Sequence, residues 1–310
     1  MLKAKLGLRV IQFCFLFIVV SGFAQKKDTI DYSFLDSINI DELLKFKEEK
    51  SYFKFQTSYL TNAVWAGRKD TAALPYLTPS IEYNHKSGFY IGASISYLAN
   101  NNSRIDLWSL DAGYSFDIIK KLNASFYINK PFYNSNSRNV QSDVSFYTGG
   151  TLTFENNILN VSATGNVMFG SESDFNLILS LDHQFNWSGK GDVNWTIAPV
   201  LNTYLGSVGY YQNYRFKRVN PRNNLPQTVN VTISSPNKFQ ILSYEFSLPT
   251  YFDKTKWGIF LNPTFAIPVN PVITTYRVTG PNGGVIIPES KITEQISNTL
   301  YAEFGVYFKF

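Results

Sequence analysis

Long stretches of the chain alternate residue by residue between apolar and polar side chains, and this period of two constrains the fold more than any other feature. Leu122, Ala124, Phe126 and Ile128 interleave with Asn123, Ser125, Tyr127 and Asn129. Leu159, Val161, Ala163, Gly165, Val167 and Phe169 interleave with Asn160, Ser162, Thr164 and Asn166. At the end of the sequence Leu300, Ala302, Phe304, Val306, Phe308 and Phe310 oppose Thr299, Tyr301, Glu303, Gly305, Tyr307 and Lys309. Successive side chains of a strand point to opposite faces, so each segment makes one apolar and one polar face. Twelve such segments can be traced, at about 52–66, 73–84, 88–99, 104–117, 121–131, 141–154, 158–169, 174–187, 192–204, 239–252, 256–268 and 296–310. Many are longer than the usual strand of about five or six residues. Their length suits a tilted strand that crosses a bilayer.

The connections alternate in length. Tight ones fall at 85–88, 118–120, 155–157, 188–191 and 253–255, and longer or more irregular ones at 67–72, 100–103, 132–140, 170–173, 205–238 and 269–295. Short turns at one end and long loops at the other, joined by dyad-repeat strands, predict an all-β fold: a twelve-stranded antiparallel transmembrane β-barrel. An even strand count puts both termini at the short-turn end. Composition agrees. Aromatic residues make up 16% and charged residues only 16% of the chain, against roughly a quarter charged in soluble domains. Trp65, Trp108, Trp187, Trp195 and Trp257, with Tyr83, Phe116 and Phe252, fall near strand ends. They read as an interfacial aromatic girdle.

The first residues read as an export address. Lys3, Lys5 and Arg9 precede the apolar run 10–20, and Ser21-Gly22-Phe23-Ala24 places small residues where a signal peptidase cuts, before Gln25. The run is too short to serve comfortably as a membrane helix. Cys14, the only cysteine, lies within it. The mature chain therefore has no disulfide and no thiolate chemistry. The formal charge of +5 falls to near +2 once the three basic residues of the leader are taken from 28, against 23 acidic, which excludes a nucleic-acid argument. The stretch Ser21-Gly22-Phe23-Ala24-Gln25 resembles signal-peptide ends common in Bacteroidota. The final strand, Tyr301-Ala302-Glu303-Phe304-Gly305-Val306-Tyr307-Phe308-Lys309-Phe310, resembles the C-terminal assembly signal of outer-membrane β-barrel proteins. That resemblance implies the cell outer membrane as location, with its lipid and the barrel assembly machinery as partners.

The expected organisation is a cleaved signal peptide at 1–24, a periplasmic lead-in at 25–50 and the barrel at 51–310. Within the lead-in, residues 38–49 carry Ile40, Leu43, Leu44 and Phe46 at helical spacing, with Asn39 or Asp41 as a cap. They predict a short N-terminal periplasmic helix.

Few residues suggest catalysis. His85 and His183 lie on separate segments with no HExxH and no Cys/His cluster, so neither a metal nor a cofactor is expected. His85-Lys86-Ser87 resembles the His and Ser, two residues apart, of outer-membrane phospholipases. In that family, however, the site faces the outer leaflet, whereas here it falls in a short turn. No enzyme is expected. The polar register places Glu82, Asp111, Asp182, Glu245 and Glu303, with Lys54 and Lys309, toward the lumen. Carboxylates along a narrow bore favour cations or polyhydroxyl solutes. The alternative is that they pair with the lysines and hold the wall together. The 205–238 loop carries Tyr214, Arg215, Lys217, Arg218 and Arg222, a set suited to an acidic ligand or lipid phosphates. Its length suggests either a lid or an inward-folded constriction of the pore, and the constriction is the expectation taken forward. The expected function is a narrow channel or transporter for small hydrophilic solutes. The alternative is a closed-barrel surface or assembly protein that binds a partner through its long extracellular loops.

Overall fold

The computed structural model describes residues 51–100, 103–189, 191–211, 228–233, 238–279 and 285–310. The signal segment, helix 38–49 and the loop residues Tyr214, Arg215, Lys217, Arg218 and Arg222 lie outside them. β1 (Tyr52–Leu60) is followed by a miniature hairpin, β2 (Val64–Trp65) and β3 (Arg68–Lys69). β4 (Tyr76–Asn84), β5 (Phe89–Leu98), β6 (Arg104–Ile119), β7 (Leu122–Tyr133), β8 (Phe146–Phe154) and β9 (Asn160–Phe169) run up and down in order. β10 (Ser173–Asp182) is continued by β11 (Phe185–Ser188), and β12 (Val193–Ile197) by β13 (Val200–Gly206). After β14 (Thr228–Ile233), β15 (Gln240–Ser247) is continued by β16 (Thr250–Lys254). β17 (Trp257–Pro268), β18 (Ile273–Thr279), β19 (Val285–Thr293) and β20 (Thr299–Lys309) complete the chain.

Every neighbour pairing is antiparallel, and the sheet closes because β20 pairs with both β1 and β17. With β10–β11, β12–β13 and β15–β16 each counted as one interrupted strand, the described residues form a closed barrel of twelve strands. These correspond one to one with the twelve alternating segments of the sequence. The two ends of the barrel sequence are laced together at the short-turn end, where Phe53 and Phe310 exchange N–H···O bonds of 2.9 Å.

The faces are inverted relative to a soluble protein. Phe55, Ile91, Phe126, Leu179, Ile259 and Phe304, spread around the circumference, all point outward and are exposed. Inside, Ser58, Thr151, Thr164, Asn176, Ser180 and Thr264 are buried. Neighbouring hydroxyls satisfy one another across strands, as in Thr151–Thr164 (2.8 Å) and Ser247–Thr264 (3.0 Å). A soluble monomer rarely exposes a contiguous apolar patch beyond a few hundred Å², and a belt around the whole barrel exceeds that.

The three strand interruptions share a line. The His183 N–H donates to the Pro199 carbonyl (3.3 Å), the Ala198 N–H to that of Pro249 (2.9 Å) and the Leu248 N–H to that of Pro263 (3.0 Å). Proline has no N–H to give a ladder, and a closed barrel has no edge on which to hide it. Setting Pro199, Pro249 and Pro263 in one row across adjacent strands gathers these three interruptions into a single crease.

Candidate functional site

At the loop end the first long connection turns inward. Trp65 and Arg68 pair across Ala66 (φ 45°) and Gly67 (φ 71°). Two central residues at positive φ make the tight primed turn that closes a two-residue hairpin. Gly67 is needed there for a second reason, since a Cβ on it would lie 2.8 Å from the Pro268 Cβ. The 205–238 loop was expected to narrow the bore, but its residues 212–227 and 234–237 lie outside the described residues. Among the described residues this hairpin is the element that fills the mouth.

The hairpin is anchored on three sides. The Gly67 N–H donates to Glu245 Oε1 (3.0 Å) on the barrel wall. The Arg68 side chain, 1% exposed, donates to the carbonyls of Leu242 (3.3 Å) and Asn270 (3.0 Å) and lies 3.5 Å from Glu294 Oε2. Arg138 forks onto Asp70 with contacts of 2.8 and 3.2 Å, tying the base of the hairpin to the 134–145 connection. Trp65 is buried against the edge of Tyr204, in a cluster with Val140, Val144, Met168, Ile178 and Leu242. Trp65 is thus part of this plug and not of the interfacial girdle, because the strand read as 52–66 ends at Leu60 and the chain then dives inward. Trp108, Trp187 and Trp195 do stand exposed on the outer face. The same cluster includes Val208, Tyr210 and Tyr211, held by Asp174, whose carboxylate accepts the N–H groups of Gly209 (2.7 Å) and Tyr210 (2.5 Å). Burial pushes the Tyr210 phenol well above its usual range. The 269–295 connection is not an open loop. β18 and β19 form a hairpin, and β14 adds to it from the preceding long connection.

Beneath the plug lies a cavity of about 310 Å³ inside the barrel. Its lining includes Lys54, Glu82, Asp111, Glu245 and Glu303, five of the seven charged residues expected at the lumen. Asp182 and Lys309 do not border it. Asp182 is buried elsewhere in the barrel and accepts from the Asn160 amide (3.0 Å). Lys309 sits toward the short-turn end, its ammonium over the rings of Tyr52 and Tyr307. Alternation told which face each residue would occupy, but which of them meet across the bore depends on strand stagger, which is a tertiary property. Glu245 also accepts from the Tyr301 hydroxyl (3.0 Å), and Lys54 lies over the Tyr307 ring at 5.8 Å. Sequence reasoning overlooked the neutral members Gln56, Asn202, Asn262 and Tyr301, although all share the polar register.

The two histidines stay apart from this site. His85 Nδ1 lies 2.8 Å from Ser87 Oγ on an exposed turn and also accepts the Ser87 backbone N–H (3.2 Å), so the imidazole shapes the turn. His183 packs against Phe185 at the crease. Among the described residues, no three His, Cys, Asp or Glu side chains come together in a way that could hold a metal ion.

No protein-family model matches the sequence, and no curated protein matches it either. Three solved structures illustrate what the barrel is similar to. A bacterial polysaccharide outer-membrane secretin aligns at TM-score 0.33 and 9% identity, over 84% of this chain and 99% of that one. The Salmonella typhi OmpF complex with daunomycin aligns at TM-score 0.27 and 7% identity, over 84% and 97%. An anion-selective porin from Comamonas acidovorans aligns at TM-score 0.22 and 9% identity, over 84% and 98%. At such scores the barrel assignment rests on this chain's own strand pairing.

Proposed function

We propose that the protein spans a bacterial outer membrane as a narrow channel or transporter for small hydrophilic solutes, with a preference for cations. We further propose that the β2–β3 hairpin is its gate, seen here closed. The observation that carries the reading is the pairing of an exposed apolar belt outside with a polar, carboxylate-bearing cavity of about 310 Å³ inside. Lipid solvates the first, and only water or a polar solute suits the second. The terminal strand Thr299–Lys309, which closes the ring, is the segment that the assembly machinery would read. No catalytic step is part of this reading.

One observation favours a second reading. β14, β18 and β19 form their own three-stranded sheet from the two longest connections, as a closed barrel that displays a binding surface to a partner would. Single-channel recording of the refolded mature chain, residues 25–310, decides between them. Discrete cation-preferring steps support the channel. A membrane-inserted, heat-modifiable protein without steps overturns it in favour of the partner-binding barrel.

A further inference from the structure

We infer that the cavity beneath the hairpin is a binding site for a small organic ammonium ion that carries further hydrogen-bond donors. The inference rests on the channel reading in that it names the solute class for the same cavity. The first observation is charge. The carboxylates of Glu82, Asp111, Glu245 and Glu303 face a single ammonium, that of Lys54.

The second observation is independent of charge. Asn202 is 2% exposed and Asn262 is 8% exposed, both line the cavity, and the Oδ1 of each has no hydrogen-bond partner. Each is placed beside a carboxylate by strand register: Asn202 opposite Glu245 between β13 and β15, and Asn262 opposite Glu303 between β17 and β20. Gln56 Oε1 is likewise unpaired. Buried polar atoms are rarely left without partners, because the lost hydration is not repaid. All three of these atoms are acceptors, so their complement is a donor, supplied by water or, in its place, by a solute.

Geometry narrows the class. The carboxylates do not converge on one point, and among the described residues none of the acidic groupings could chelate a metal ion. A polyatomic cation can instead reach two separate carboxylate–amide pairs. The cavity of about 310 Å³ holds roughly ten water volumes at ~30 Å³ each, the size of a monosaccharide or a short diamine. Tyr76, Tyr133, Tyr204 and Tyr301 also line it, and aromatic faces attract ammonium groups.

Glucosamine and glucose test the inference, since they match in size and differ by an ammonium in place of a hydroxyl. Binding of each to the full chain in detergent micelles is measured by calorimetry, with heat-modifiability as the check on folding. Glucosamine should bind roughly tenfold tighter or more, the scale of one added charge-assisted contact. The double substitution Glu245→Gln/Glu303→Gln should abolish most of that preference. Asn262→Asp, which adds a carboxylate in place, should increase it, an outcome that misfolding cannot imitate. Equal affinity for the two sugars overturns the inference, as does a preference that neither variant alters. Stoichiometric displacement of glucosamine by calcium also overturns it, in favour of a metal site. A chain that binds selectively without conducting keeps this site and loses the channel. One that conducts without discriminating keeps the channel and loses this site.

Discussion

Truncating Arg68 to alanine should unlatch the mouth of the barrel. The guanidinium is 1% exposed, lies 3.5 Å from the Glu294 carboxylate and donates to backbone carbonyls at 3.0–3.4 Å on three segments. Its loss leaves Glu294, 8% exposed, without its counter-charge for as long as the hairpin stays in. Removing one partner of a buried pair costs about 3–5 kcal/mol. That cost falls on the closed state, because an expelled hairpin lets water reach Glu294. At 1.4 kcal/mol per decade, the closed-to-open ratio drops by roughly two to three and a half orders of magnitude. Open-state dwell in single-channel recordings measures this directly, and quenching of Trp65 fluorescence by iodide reports the same displacement. Arg68→Lys, which keeps the charge and loses the fork, should fall between alanine and the parent. Adding Glu294→Gln to Arg68→Ala should restore part of the closure, since the stranded charge is gone. Indistinguishable dwell times and quenching in Arg68→Ala and the parent would refute the gate.

Three further outcomes are expected. Asp111→Asn combined with Glu245→Gln should lower the cation-to-anion permeability ratio in reversal-potential measurements, and an unchanged ratio sinks the acidic filter. Gly67→Val should loosen the plug by about 1–3 kcal/mol, because the site needs positive φ and meets Pro268. The sign of this would be greater Trp65 quenching with unaltered heat-modifiability of the barrel. Leu261→Arg, on the outward face near the middle of β17, should destabilise the vesicle-inserted protein by ~2–4 kcal/mol in urea titration. The inward Thr264→Ser should cost far less, and equal costs would argue against lipid on the outer face.

How much of this was legible in the sequence depended on how many residues each feature spans. The barrel strands repeat their alternation over nine residues or more in most cases, as in β7 and β17, long enough for a period of two to declare itself. The β2–β3 hairpin has two residues per strand, too few for any periodicity. Its mark was Trp65-Ala66-Gly67-Arg68, a turn whose glycine hinted at positive φ. Trp65 misled because an aromatic near a strand end serves equally as a membrane anchor or as a plug. The segments 174–187, 192–204 and 239–252 read as unbroken, while Pro199 and Pro249 mark where the ladder is interrupted. For the cavity, the face of Glu82, Asp111, Glu245 and Glu303 followed from the alternation. Their meeting under a folded-in loop required the stagger of the closed sheet.

The proline row has a mechanical consequence. A tube whose wall is ladder-bonded throughout resists changes of cross-section equally on all sides. Here the bonds at His183, Ala198 and Leu248 end on the carbonyls of Pro199, Pro249 and Pro263, residues that return no N–H. The wall therefore carries a seam of weaker bonding across three adjacent strands. Lateral pressure on the wall would be taken up most readily along that seam, where three adjacent strands are interrupted side by side.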